Sequence, residues 1–313
     1  MRSPLLVLAF SCGLLAAAPA FADGPKVVTS IKPVHSLVAA VMQGVGEPAL
    51  IVRGAASPHD YALKPSDAKA LQNADLVFWV GEALESFLVK PLKSVPKTVQ
   101  VVELMDSAEI TLLEARAGGA WEAHDHGHEH KHDHAGADHG NLNTHIWLDP
   151  ANAKVMAGTA AVALAARDPA HAAAYKANAE ALGKRLDTLD AELKAALAPV
   201  AARPFIVFHD AYQYFEKRYG LNAVGAITVN PERGPSAKRV AAIRDRIRKL
   251  GAACVFAEPQ FEPKLVDTLI EGTGARKGTL DPEGAAIPDG PELYPTLLRD
   301  LANSLVGCLT PRA

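Results

Sequence analysis

Beyond its first two dozen residues the sequence has no apolar run approaching the ~20 residues that a membrane-spanning helix needs, so an integral membrane protein is not expected. An excess of positive charge is missing as well. Lys and Arg number 32 against 35 Asp and Glu, a formal net charge of −3, and no nucleic-acid partner is expected. The one locally basic segment holds Lys238, Arg239, Arg244, Arg246, Arg248 and Lys249. It also carries an apolar stripe of Val240, Ile243, Ile247 and Leu250, so it reads as a helix with a solvated face. Two enzymatic signatures are missing too: no segment with a helical pattern carries His-Glu-x-x-His, a spacing that occurs only at His128–His132 inside a His-rich run, and there is no nucleophile elbow. A secreted zinc hydrolase would have only Glu258 or Asp210 to offer as general base.

Cysteine is scarce, with three residues in 313. Cys12 falls in a leader: Arg2 is followed by an apolar stretch over 5–18, and Ala20-Phe21-Ala22 fits the small-residue cleavage rule. Cleavage after Ala22 would give an exported chain, move the net charge from −3 to −4, and leave Cys254 and Cys308. An even pair in an exported chain fits a disulfide, worth about 4 kcal/mol on the loop-entropy model, or else two buried free thiols.

What the sequence does contain is organised around residues 170–198. Tyr175, Ala179, Leu182, Leu186, Leu189, Leu193 and Leu197 recur at intervals of three and four, with charged residues between them. Asp168-Pro169 starts this helix and Pro199 ends it, for a length of about 40 Å. On either side, short β-branched runs alternate with helical patterns, which predicts two α/β lobes with mostly parallel sheets joined by one long backbone helix. The expected boundaries are 1–22 for the leader, 23–168 for the first lobe, 169–199 for the linking helix and 200–313 for the second lobe.

Within the first lobe, residues 122–141 interleave His124, His126, His128, His130, His132, His134 and His139 with Asp125, Glu129, Asp133 and Asp138. That composition cannot build a core, but its imidazoles can trap borderline divalent metals such as zinc at several weak sites. Elsewhere, chemistry-bearing residues gather at predicted strand ends. His59 follows the second strand, His209 ends Phe205-Ile206-Val207-Phe208, Glu258 ends Cys254-Val255-Phe256-Ala257, and Asp281 follows the last strand, with His145 in a comparable loop. Ligands in open α/β sheets bind outside these carboxyl ends. Three imidazoles and one carboxylate, brought to a cleft between lobes, suit tetrahedral zinc. His35 and His171 read as structural.

The segments His59-Asp60-Tyr61, Asn143-Thr144-His145, Phe208-His209-Asp210-Ala211-Tyr212, Phe256-Ala257-Glu258-Pro259-Gln260-Phe261 and Thr279-Leu280-Asp281-Pro282 resemble those of the ZnuA type of zinc-specific substrate-binding proteins of bacterial ABC importers. The resemblance covers nearly the whole mature chain, including the His-rich loop and both cysteines. It implies a monomeric, non-enzymatic periplasmic protein that binds Zn(II) between its lobes. Its expected partners are a membrane permease with a cytosolic ATPase and a periplasmic zinc chaperone. His59, His145 and His209 match the family's zinc ligands, Asp281 its acidic fourth position, and Glu258 a neighbour that orients an imidazole. Manganese-binding relatives typically carry glutamate at the position of His209. This chain has Pro58 where many zinc-binding members have glutamate, which leaves Asp281, water or nothing for the fourth position.

Overall fold

The computed structural model describes residues 24–116, 121, 141–228, 236–262 and 264–311. The leader and the seven histidines between His124 and His139 therefore lie outside the described residues. The N-terminal lobe contains strands β1 (Val27–Thr29), β2 (Ala49–Leu50), β3 (Leu76–Trp79) and β4 (Gln100–Glu103), and helices α1 (Lys32–Val41), α2 (Pro65–Gln72) and α3 (Ser86–Lys93). The C-terminal lobe contains strands β5 (Phe205–His209), β6 (Ala223–Thr228), β7 (Cys254–Ala257) and β8 (Arg276–Thr279). Both sheets are parallel, in the orders β2-β1-β3-β4 and β6-β5-β7-β8. Strand order thus reverses beside β1 in one lobe and beside β5 in the other, the points at which open sheets form a crevice.

The expected long helix is α5 (Ala172–Leu197), flanked by short 3₁₀ turns at Pro169–His171 and Ala198–Val200. Its start is organised by Asp168, whose Oδ2 accepts from His171 Nδ1 at 2.7 Å and Tyr175 Oη at 2.8 Å. His171 is structural, as expected. Tyr175, Leu182, Leu186, Leu189, Leu193 and Leu197 are buried, and Ala179 is half-buried. The helix is not a lone rod. It packs along α4 (Pro150–Arg167), whose buried face carries Met156 and Leu164 among the small side chains of Ala153, Ala157 and Ala160.

Three further helices complete the C-terminal lobe before its closing one: α6 (Gln213–Tyr219), α7 (Ala237–Leu250) and α8 (Lys264–Ile270). On β5, Phe205 and Val207 face the main core while Ile206 and Phe208 face a second apolar cluster, the period of two expected of a strand buried on both sides. In the basic helix α7, Lys238, Arg248 and Lys249 are exposed as expected, while two other arginines turn to the sheet. Arg239 and Arg246 donate to the carbonyls of Ala226 and Val224 at 2.7 and 2.8 Å, covering the free edge of β6. Leu250, expected in the apolar stripe, is 43% exposed because it lies at the last turn, past Ile243 and Ile247. The closing helix α9 (Leu293–Leu309) is joined to β7 by a Cys254–Cys308 disulfide, which excludes the free-thiol alternative.

Candidate metal centre

His59 sits in a 3₁₀ turn (Pro58–Asp60) beyond β2. Ser57 Oγ accepts from the His59 amide at 3.3 Å, and Tyr61 Oη donates to Asp67 Oδ2 at 3.0 Å, which ties the loop to the first turn of α2. His145 precedes a 3₁₀ turn (Ile146–Leu148) that leads into α4, whose first turn is capped by Asp149. His209 is the last residue of β5, and Glu258 follows β7, the neighbouring strand at the reversal of strand order. The topology thus delivers one histidine from the N-terminal sheet, one from the entry to α4, and one from the C-terminal sheet.

The three rings meet. His145 Nε2 lies 3.3 Å from His59 Nε2 and 3.2 Å from His209 Nε2, and the three residues form a group whose ligand atoms are all within 4.8 Å of one another. Nitrogens held 2.0–2.1 Å from a tetrahedral zinc ion stand about 3.3–3.4 Å apart, so the observed spacing fits that ion. The opposite edges of two rings are engaged by acceptors. His145 Nδ1 donates to Asn143 Oδ1 at 2.9 Å, and His209 Nδ1 donates to Glu258 Oε2 at 2.7 Å. Each acceptor fixes the tautomer with the proton on Nδ1, which turns the lone pair of Nε2 towards the shared space. His145 and His209 are buried and His59 is half-buried.

Glu258 is itself held by Tyr212 Oη at 3.1 Å, and burial together with this carboxylate pushes the Tyr212 phenol far above its ordinary pKa. Asp281 stands apart from the three rings. Its carboxylate accepts from Gln260 Nε2 at 2.9 Å and from the backbone amides of Glu283, Gly284 and Ala285 at 3.0, 3.0 and 2.6 Å, and it is not in the three-histidine group. Four donors on one carboxylate make Asp281 the cap of the loop after β8. Asp210, the other acid beside a histidine, is paired with Arg116, which also binds Glu216 and leaves Asp210 unsuited to act as a free base. Glu283 lines the same small cavity, and burial, then the charges of Asp281 and Glu85, raise its pKa well above the carboxylate range.

Sequence reasoning placed His59, His209 and Glu258 beyond or at strand ends and His145 in a loop, and that is where they lie. It gave no role to Asn143 as the orienter of His145, to Arg116 or to Gln260. Asn143 lies two residues before a predicted ligand, a spacing at which a side-chain amide can reach back to the ring, and that was the available signal.

A model of the family described as zinc-uptake complex component A, periplasmic (ZnuA), matches residues 27–308. The high-affinity zinc uptake system protein ZnuA of Brucella suis biovar 1 is 51% identical over 99% of this chain and 99% of its own length. The protein of the same name from Paracoccus denitrificans is 40% identical over 99% of both chains. Among solved structures, a crystal structure of ZnuA aligns with a TM-score of 0.76 at 26% identity, covering 92% of this chain and 100% of the other. An internally deleted ZnuA with zinc bound aligns with the same TM-score and identity over 93% of this chain and 100% of the other.

Proposed function

The chain belongs to the ZnuA family of periplasmic zinc-uptake components, and on that premise we propose that His59, His145 and His209 hold one Zn(II) between the two lobes for delivery to an ABC permease. It is a periplasmic zinc-binding protein for zinc uptake, and not an enzyme. The observation that carries the ligand assignment is the convergence of three imidazole nitrogens, two with tautomers set by Asn143 and Glu258. Neutral imidazoles suit a borderline ion such as zinc, whereas a carboxylate in place of His209 would favour a harder ion.

The permease and its cytosolic ATPase are the proposed partners, with a periplasmic zinc chaperone as an upstream donor and the binding protein acting as a monomer. The segment 122–141 is proposed to collect zinc near the cleft, because seven histidines among acids bind weakly and exchange readily. The segments 23–168 and 200–313 are proposed to act as the two working lobes, linked through 169–199, with the mature chain beginning after Ala22.

Zinc stoichiometry and affinity, measured by chelator competition, test this reading. One tight site is expected in residues 23–313, retained after deletion of 122–141 and lost in His145→Ala. Loss of all tight binding with the loop deletion would move the receptor to the loop and overturn the cleft assignment.

A further inference from the structure

Gln260 lies two residues after Glu258 and lines the same cavity as the three histidines. Its Nε2 donates to Asp281 Oδ1 at 2.9 Å. A carboxylate only accepts, so the amide group must face Asp281 and the carbonyl oxygen must face away. That oxygen, Oε1, is buried and has no hydrogen-bond partner among the described residues. A buried acceptor without a donor is unfavourable, and its persistence calls for a donor that arrives with the ligand.

Two of the three neighbouring histidines cannot supply that donor. His145 and His209 have their protons on Nδ1, engaged by Asn143 and Glu258, and turn bare nitrogens inward. The volume open to the centre of a water-sized sphere is about 10 Å³, close to the space of a single small group. Three nitrogens leave one position of a tetrahedral zinc ion open, and a water bound there is polarised by the metal into a strong donor.

We propose that Gln260 is a positioning residue that accepts a hydrogen bond from a zinc-bound water in the fourth position, and that Asp281 acts on the metal only by holding the Gln260 amide. This rests on the three-histidine reading above. It gives a physical role to Pro58, which offers no donor to the metal, and to Asp281, whose carboxylate is committed to four donors.

The test compares wild type, Gln260→Met, Asp281→Asn and His145→Ala as full-length mature protein, with zinc affinity from chelator competition and cobalt(II) as a spectroscopic probe. The wild-type cobalt spectrum is expected to be tetrahedral and to titrate with pH as the bound water ionises. Gln260→Met, close in shape but a poor acceptor, is expected to weaken zinc binding about tenfold and to displace that titration. Asp281→Asn is expected to retain the tetrahedral cobalt spectrum and to lose at least tenfold less affinity than His145→Ala.

A wild-type cobalt spectrum that does not titrate would overturn the proposal without any variant having to fold. So would unchanged affinity and titration in Gln260→Met, or a loss in Asp281→Asn equal to that in His145→Ala. Tight zinc binding that survives His145→Ala would strike instead at the three-histidine reading itself.

Discussion

Buried carboxylates near the cleft are held in place by different means. Glu258 sits between His209 and Tyr212, two side-chain donors. Glu85, fully buried at the entry to α3, accepts from the backbone amides of Val80 and Gly81 at 3.2 and 2.8 Å. Those amides favour its charged form, but burial outweighs them and pushes its pKa up to about 7 from 4.5. A folded state that holds the proton more tightly than the unfolded chain is most stable below the unfolded pKa. The contribution of Glu85 is therefore complete below about pH 4.5 and disappears as pH rises through about 7, a change of about 3 kcal/mol. Urea unfolding of the zinc-free protein at pH 5 and pH 7.5 should show this slope in wild type, and Glu85→Gln should flatten it. Parallel pH dependences in the two proteins would remove the assignment.

At the scale of elements, α5 derives its stability from its buried stripe and little from its surface charges. Leu189, 1% exposed at the middle of the helix, should cost about 2–5 kcal/mol as Leu189→Ala, since the helices packed around it cannot collapse fully into the cavity. Glu180→Ala removes only an exposed pair with Lys176 at 4.0 Å and should change stability by less than about 0.5 kcal/mol. Denaturant midpoints of the two variants check the contrast, and equal effects would refute it. The same stripe explains why this helix was legible in the sequence: a period of 3.6 over seven apolar positions has no competing reading. Strands β5 and β7 were legible for a similar reason, as short apolar runs that each deliver a polar residue at the carboxyl end. The roles of Arg239 and Arg246 were not legible. Covering the edge of β6 depends on how α7 crosses the sheet, and a local pattern of charge looks the same whether it meets water or a carbonyl. The hydrogen bonds of Asp281 were not legible for a related reason. An Asp-Pro pair after a strand carries no mark that separates a metal donor from a loop cap, and only the three backbone amides that turn back on it make the difference.

At the scale of the whole molecule, the lobes share one core. A continuous cluster of buried apolar residues runs from β1 and β3 through α4 and α5 to β5, β7 and α9. Polar contacts cross the same boundary. Lys32 at the start of α1 donates Nζ to the carbonyls of Ala285 and Ile287 at 3.2 and 2.8 Å and pairs with Asp289. Trp147 Nε1 donates to the Pro282 carbonyl at 2.8 Å, and Tyr294 Oη donates to the Trp147 carbonyl at 2.6 Å. A wide hinge opening would have to expose part of the shared core, at about 2.5 kcal/mol for each 100 Å² of apolar surface, and leave the buried Lys32 ammonium without its acceptors. Zinc entry is therefore expected to involve rearrangement of the loops that carry His59 and the segment after β8, while the lobes keep their relative placement. Small-angle X-ray scattering of the protein lacking 122–141, with and without one equivalent of zinc, should give superimposable profiles. A larger radius of gyration in the zinc-free protein would mean that the interlobe contacts break in the open state, and the shared core would then be a property of the closed form alone.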